Sequence, residues 1–190
     1  MHKHLGKELP HYEERLFDVG LDEDLGEIAG LYEYGGNIVT SMQGIIQLYL
    51  PGVAASTHKA VRLAYEKANW GNKTGGSQFR SQFSPSSAGW PSPDKLGLRA
   101  GEYLEYNHTG RLGVHVDAES VFTISVSLTD AADYEGGYFH LNSEHVLWKA
   151  PRLSSVVFFS EEPHGVTEVT SGDRQVFVVE YWWDDDTPGK

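Results

Sequence analysis

From about Leu98 to Trp183 the sequence consists of short apolar segments separated by turn residues, and this pattern constrains the fold more than any other feature. The segments are rich in β-branched and aromatic residues, which favour strands. Many short strands at this spacing are typical of a β-sandwich or barrel. We therefore expect a mostly β fold, with strands at 104–107, 121–128, 137–141, 145–150, 155–159, 165–170 and 174–183.

The residues before this region predict one or two helices that brace the sheet. Ser56 or Thr57 can cap a helix that runs to about Asn69, with apolar residues at helical spacing on one face. A weaker helical segment, Asp22–Tyr34, ends at two glycines. The apolar face of the stronger helix consists of Val61, Ala64, Tyr65 and Ala68.

Residues 71–95 are rich in Gly, Ser and Pro, and they predict a long loop. Phe79, Phe83 and Trp90 within this loop are apolar aromatics that need a surface to cover. Two interpretations are open. The segment is either a mobile lid that closes over a substrate or an ordered hairpin whose aromatics belong to the scaffold.

The length and composition fit a single globular domain. The chain has 190 residues, of which 39% are hydrophobic and 22% are charged. We expect residues 1–95 to form an N-terminal support region and loop. Residues 96–184 then form the strand-rich core.

Charge and cysteine content restrict the partners. The net charge of −12 is poorly suited to a nucleic-acid backbone, so we expect no nucleic-acid partner. The chain has no cysteine, which excludes disulfides and thiolate metal sites and fits a reducing compartment. We find no signal peptide and no transmembrane segment, and we expect a cytoplasmic protein without a membrane partner. The sequence carries no signal of oligomeric state.

Two histidines, an aspartate and an arginine stand in an order typical of an iron site with an anion clamp: His115-Val116-Asp117, then His164, then Arg174. Side chains at i and i+2 of a strand point to the same side, so His115 and Asp117 can face one metal while Val116 packs behind. Two histidines and one carboxylate form the facial triad of non-haem Fe(II) oxygenases. An arginine can hold a carboxylate with two parallel hydrogen bonds.

Each of these residues alone has a more ordinary interpretation. A single histidine on a strand is usually structural, and an arginine is usually at the surface or in a salt bridge. We interpret the other histidines in that structural sense, including His58, His108 and His140. We expect the strand of His164 to begin a hairpin whose turn is at 171–173. Arg174 would then lie just after that turn, on the neighbouring strand. The combination in order and spacing is what predicts a metal site.

These residues resemble the catalytic domain of Fe(II)/2-oxoglutarate-dependent oxygenases of the prolyl 4-hydroxylase and lysyl hydroxylase type. The shared pattern is H-x-D, an E-G-G before a strand, a histidine, and G-x-R. The resemblance covers roughly residues 98–183. The matching segments are His115-Val116-Asp117, Asp133-Tyr134-Glu135-Gly136-Gly137, His164 and Gly172-Asp173-Arg174.

The resemblance implies a double-stranded β-helix, or jelly roll, as the catalytic core. It implies iron held by His115, Asp117 and His164, with Arg174 on the distal carboxylate of 2-oxoglutarate. Tyr106 is the candidate for a tyrosine that contacts the co-substrate in relatives. A second such tyrosine is replaced here by Ser127. The implied cofactors are Fe(II), 2-oxoglutarate as co-substrate and O₂, with ascorbate as an optional addition.

The resemblance therefore implies a dioxygenase that hydroxylates an aliphatic C–H, of a prolyl or lysyl residue in a protein or peptide. Three alternatives stay open. One is a hydroxylase of a free amino acid or small metabolite. Another is a non-catalytic jelly-roll protein that binds or senses metal or 2-oxoglutarate. The third is a cupin-like metalloprotein that uses the metal without 2-oxoglutarate.

Overall fold

The computed structural model describes residues 30–34, 37–42, 45–46, 49–70, 93–141 and 146–183. One long helix, α1, spans Pro51–Lys67, and a short 3-10 turn spans Pro93–Lys95. The strands in chain order are β1 (Gly30–Tyr34), β2 (Asn37–Ser41), β3 (Leu96–Tyr106), β4 (Leu112–His115), β5 (Phe122–Ser127), β6 (Tyr134–Gly136), β7 (Phe139–Leu141), β8 (Val146–Trp148), β9 (Ser155–Phe159), β10 (His164–Val166), β11 (Val169–Gly172) and β12 (Arg174–Trp183).

In this described part of the chain the strands form two main antiparallel sheets and one small one. The larger sheet has the order β1-β2-β3-β12-β5-β9, and the second has the order β4-β10-β7-β8. β6 and β11 pair separately. The chain crosses repeatedly between the two main sheets, as in a jelly roll. The predicted mostly β jelly roll is therefore confirmed, with one bracing helix among the described residues.

Both faces of the larger sheet are buried. Successive side chains along its central strands point to opposite faces, and each face packs against a core. On β5, Phe122 and Ile124 point to one side, while Thr123, Ser125 and Ser127 point to the other. The first side packs under α1, in a core that includes Ile46, Val61, Phe177 and Val179. The second side faces the smaller sheet, in a core that includes Leu104, Tyr106, Phe139, Phe158 and Val176.

Helix α1 begins earlier than the sequence predicts. Pro51 lies in its first turn, where proline lacks only a hydrogen bond that the helix does not need. The expected cap residues lie inside the helix instead. The hydroxyl of Ser56 donates to the carbonyl of Gly52, four residues back, and that of Thr57 contacts the carbonyl of Val53 in the same way.

Several boundaries in the N-terminal part also differ from expectation. Gly30–Tyr34 is not helical but forms β1, which pairs with β2. These two strands extend the larger sheet, so the support region contributes strands as well as a helix. Residues 71–92 and 22–29 lie outside the described residues, and the loop prediction therefore stays a prediction. No helix in the described ranges is long and apolar enough to cross a membrane.

The expected hairpin between His164 and Arg174 is wrong. The segment 165–170 is divided between two strands, β10 and β11, which lie in different sheets. Gly172 then has φ of +71°, a conformation that favours glycine. The chain leaves β11 there and enters β12, where Arg174 pairs with Tyr106 of β3 rather than with the strand of His164.

Candidate metal centre and anion pocket

The pairing of β4 with β10 brings the two histidines of the sequence motif together. His115 and His164 are register partners in this pair, and their ring centroids are 4.2 Å apart. Asp117 lies just beyond the end of β4. Its Oδ1 is 3.5 Å from His115 Nε2, and its Oδ2 is 3.6 Å from His164 Nε2. The three ligand atoms all lie within 4.8 Å of one another, as a metal site requires.

Backbone carbonyls orient both imidazoles toward one point. His115 Nδ1 is 2.9 Å from the Gly113 oxygen, and His164 Nδ1 is 2.9 Å from the Glu162 oxygen. A carbonyl accepts only, so Nδ1 carries the hydrogen in both rings and donates it. Nε2 of each neutral ring then has its lone pair free for a metal. This is the usual way in which a protein orients a metal-binding histidine.

The surroundings of His164 are largely apolar. The side chain is 5% exposed, and its ring packs on Phe158 and Phe139 at centroid distances of 4.6 Å and 5.9 Å. Val116, which we expected to pack behind the motif, is instead 45% exposed. The motif therefore lies at the edge of the smaller sheet, with His164 on the inner side.

Mutual contacts, as well as burial, set the protonation of the three side chains. Burial would raise the pKa of Asp117, but the contact with His115 and the charge of His164 outweigh it and lower that pKa. Burial lowers the pKa of His164, although the charge of Asp117 opposes it. For His115 burial acts downward, but contacts with Asp117 and the Gly113 carbonyl raise the pKa overall. An ionised carboxylate thus lies beside a histidine that is neutral at pH 7.

Arg174 is buried beside this centre. Its side chain is 6% exposed, and its guanidinium carbon lies 4.8 Å from the ring centroid of Tyr106. Nη1 is fully enclosed and has no hydrogen-bond partner. A buried guanidinium nitrogen without an acceptor is costly, so the site is suited to an anion.

A small pocket opens against Arg174. Phe139 contacts His164 on one side and lines this pocket, so the pocket and the triad are neighbours. Gly137 leaves room for the Arg174 side chain, because a Cβ at position 137 would lie 3.0 Å from Cδ of Arg174. The remaining lining residues are Ser125, Ser127, Tyr134, Trp148, Ala150 and Val176.

Tyr106, the other candidate from the sequence, packs its ring against the guanidinium of Arg174. It is 1% exposed. Burial raises the pKa of Tyr106 to about 12, although the charge of Arg174 acts in the opposite direction. Tyr106 is therefore a neutral phenol at pH 7. Ser127, which the sequence resemblance aligns with a tyrosine, lies on the wall of the same pocket.

Two further sets of polar residues, which the sequence motifs do not indicate, lie around the triad. Thr123 Oγ1 lies 2.5 Å from Asp117 Oδ2, and Ser160 Oγ lies 2.9 Å from Thr123 Oγ1.

At the other end of β12, Glu180 accepts hydrogen bonds from Arg99 at 2.7 Å and Ser120 at 2.5 Å. Burial, followed by the charge of Asp117, raises the pKa of Glu180 to about 7. The alternation of faces along β12 from Arg174 would have placed Glu180 on the inner side.

Of the histidines that we interpreted as structural, His58 and His140 lie within the fold, whereas His108 is exposed in a turn. His58 Nε2 is 2.9 Å from the carbonyl oxygen of Pro93, and its ring packs on Tyr181. His140 lies opposite Gly165 across β7 and β10. The metal-suited group found among the described residues consists of His115, Asp117 and His164.

No protein-family model matches the chain, and no curated protein matches it by sequence. Solved structures do align with it. An oxidoreductase of the 2OG-Fe(II) oxygenase family from Burkholderia pseudomallei aligns over 46% of this chain and 45% of its own, with 19% identity and a TM-score of 0.42. A prolyl-4-hydroxylase from Pseudomonas putida aligns over 46% and 53%, with 19% identity and a TM-score of 0.39.

An RmlC-like cupin protein from Desulfovibrio desulfuricans aligns over 45% of this chain and 78% of its own, with 22% identity and a TM-score of 0.34. The aligned part of this chain spans about half the length of the oxygenase and the hydroxylase. The strand order, rather than these likenesses, defines the fold.

Proposed function

We propose that the chain is an Fe(II)- and 2-oxoglutarate-dependent dioxygenase that hydroxylates an aliphatic C–H bond. The observation that carries this proposal is the buried, unpartnered Nη1 of Arg174 in a pocket next to a two-histidine, one-carboxylate centre. The triad supplies the ligand set of this enzyme class. The arginine supplies a place for a carboxylate.

His115 and His164 would each bind the iron through Nε2, and Asp117 would bind it through a carboxylate oxygen. Bound iron supplies the oxidising chemistry with O₂, while the protein supplies geometry and a water-poor cavity. Phe139 and Phe158 pack on His164 and keep that side of the site apolar. Three protein ligands would leave further coordination positions of the iron for the co-substrate.

Arg174 would bind the distal carboxylate of 2-oxoglutarate. Its planar guanidinium can form paired charge-assisted hydrogen bonds, which a lysine cannot reproduce. Tyr106 supports the guanidinium from below, and its phenol stays neutral, so it does not compete as an anion. Ser125 and Ser127 add hydroxyl groups to the same wall.

The substrate in this proposal is a prolyl or lysyl residue of a protein or peptide. This choice follows the motif resemblance, and a free amino acid or small metabolite is the alternative. The unpartnered Arg174 favours 2-oxoglutarate use over a cupin-like metalloprotein that needs no such anion. Turnover distinguishes the enzyme from a protein that only binds or senses.

The test is iron-dependent release of succinate from 2-oxoglutarate in air, with and without ascorbate. We expect release by the parent protein and none by His164→Ala or Asp117→Ala. A peptide library incubated under the same conditions should then yield peptides heavier by one oxygen atom. Absence of succinate from iron-loaded, folded protein, even with the library present, would contradict the proposal.

A further inference from the structure

We propose that Thr123 and Ser160 form a hydroxyl relay that positions Asp117 and selects Oδ1 as its metal-binding oxygen. This inference rests on the proposed function, because it concerns the carboxylate ligand of the proposed iron site. Thr123 and Ser160 act as positioning residues, since neither touches the proposed metal.

The direction of the relay follows from hydrogen-bonding capacity. An ionised carboxylate only accepts, so the Thr123 hydroxyl donates its single hydrogen to Asp117 Oδ2 across 2.5 Å. Thr123 Oγ1 can then only accept from Ser160 Oγ, 2.9 Å away. The chain of donation therefore runs from Ser160 to Thr123 to Asp117.

Burial makes this relay difficult to replace with water. Thr123 is 1% exposed and Ser160 is 0% exposed. A hydroxyl removed from this place leaves the remaining buried oxygens without a donor, and such groups are costly. The relay is therefore a fixed part of the site.

Asp117 needs such a support because it lies beyond the end of β4, outside the ladder that holds His115. Its backbone N–H donates to the carbonyl oxygen of Ser160 at 2.8 Å. The N–H of Ser160 in turn donates to the carbonyl oxygen of Val121 at 3.0 Å. Ser160 thus holds Asp117 twice, through its own backbone and through Thr123. The larger sheet in this way fixes a ligand that the smaller sheet presents.

The relay also distinguishes the two carboxylate oxygens. Oδ2 receives the hydrogen bond of Thr123, which withdraws electron density from it and fixes its direction. Each oxygen has a histidine nitrogen nearby, His115 Nε2 at 3.5 Å from Oδ1 and His164 Nε2 at 3.6 Å from Oδ2, so the Thr123 hydrogen bond is what distinguishes them. Binding through Oδ1 alone uses one coordination position. A carboxylate released from Thr123 could bind through both oxygens and occupy a position that the co-substrate needs.

The experiment compares Thr123→Val, which keeps the shape, with Thr123→Ser, which keeps the hydroxyl. Co(II) is titrated anaerobically into each metal-free protein, and both the affinity and the visible absorption spectrum of bound Co(II) are recorded. Outer partners of metal ligands typically change affinity by about 10–100-fold. We expect a loss of that size and an altered spectrum in Thr123→Val. Thr123→Ser should retain the parent spectrum, with an affinity within about threefold of the parent protein.

Thr57→Val is the matched control. Thr57 is also buried, at 6% exposure, and its hydroxyl bonds to that of Tyr181, in the core on the α1 side of the larger sheet and on the opposite face from Thr123. Its loss should lower stability while leaving Co(II) affinity and spectrum unchanged. If Thr123→Val does not fold, Ser160→Ala replaces it. That variant should weaken Co(II) binding less than tenfold and shift the spectrum in the same sense.

The outcomes separate the relay from the proposed function. Parent-like Co(II) binding and spectrum in Thr123→Val would overturn the relay, while loss of binding in His164→Ala would still support the metal site. Failure of Thr123→Ser to restore binding would also overturn the relay, because packing rather than the hydroxyl would then be responsible. Absence of Co(II) binding to the parent protein would overturn both proposals.

Discussion

The guanidinium of Arg174 lies 4.8 Å from the ring centroid of Tyr106, its cross-strand partner between β12 and β3. An aromatic face attracts a cation, but it provides no hydrogen-bond acceptor for Nη1. The pair is therefore a cationic site that an anion would complete. Its position next to His164, through Phe139, is why we propose the co-substrate as that anion.

Arg174→Ala should weaken 2-oxoglutarate binding to the metal-loaded protein by about tenfold to a few hundredfold. The reason is that hydrogen bonds to charged groups contribute roughly 1.5–3 kcal/mol. Arg174→Lys should recover only part of the loss, because a point charge cannot reproduce the planar fork. Anaerobic calorimetry measures both. Arg111→Ala is the control, since Arg111 is 69% exposed. Equal affinities for the parent and Arg174→Ala would exclude this role.

His115→Ala and His164→Ala should each abolish tight Fe(II) binding while leaving the fold largely intact. Each removes one of three ligands whose geometry is set by neighbouring strands. Metal content after anaerobic loading, compared with far-ultraviolet circular dichroism, measures the two effects separately. His108→Ala, an exposed histidine in a turn, serves as the control and should bind iron as the parent does. Parent-like iron binding in the double alanine variant would show that the metal lies elsewhere.

Glu180→Gln should make the metal-free protein more stable relative to the parent as pH rises. The folded-state pKa of Glu180 is raised from 4.5 to about 7, chiefly by burial, so the protonated form is favoured in the folded state. The corresponding stability is present below pH 4.5 and is lost as pH rises through about 7. The difference amounts to about 3 kcal/mol.

Urea unfolding of both proteins at pH 4.5, 6 and 8 tests this expectation, with chelator present throughout. The difference in free energy of unfolding, Glu180→Gln minus parent, should increase from the lowest to the highest pH. A difference that stays constant across this range would mean that Arg99 and Ser120 compensate fully for the burial of the carboxylate.

Gly172→Ala should lower the free energy of unfolding by about 1–3 kcal/mol, because an L-residue is strained at positive φ. A Cβ at this position would also collide with the carbonyl oxygen of Asp133. Since Gly172 directs the chain into β12, the substitution should also displace Arg174 and weaken 2-oxoglutarate binding. Gly52→Ala is the matched control, because a Cβ there meets nothing within 4 Å and alanine favours a helix. Equal free energies of unfolding for Gly172→Ala and Gly52→Ala would show that an alanine at position 172 is not strained.

The sequence predicted the fold class and the grouping of the triad because both depend on residue types at fixed spacing. Alternating apolar residues defined most strands from Leu98 onward. The H-x-D pair needed only strand periodicity to place His115 and Asp117 on one side. His164 required the pattern of a known family, because nothing local to a single histidine indicates which strand lies next to it.

Other features could not be predicted because they depend on pairing across the fold. The sequence predicts an ordinary hairpin at 171–173, whereas the chain changes sheet at Gly172. A turn sequence does not indicate which strand the chain joins after the turn. Thr123 and Ser160 are common strand and turn residues, and only the β5–β9 pairing brings them near Asp117. The exposure of Val116 follows from the end of β4 at His115, which alternation alone does not reveal.

The most direct test of a single metal and co-substrate site is anaerobic calorimetric titration of 2-oxoglutarate into the protein with and without Fe(II). We expect one 2-oxoglutarate to bind per chain in the iron-loaded protein. We expect binding to be at least about tenfold weaker without iron, and similarly weakened in iron-treated His164→Ala. Affinity that is the same with and without iron, or no binding to the iron-loaded protein, would contradict the claim that the triad and Arg174 form one site.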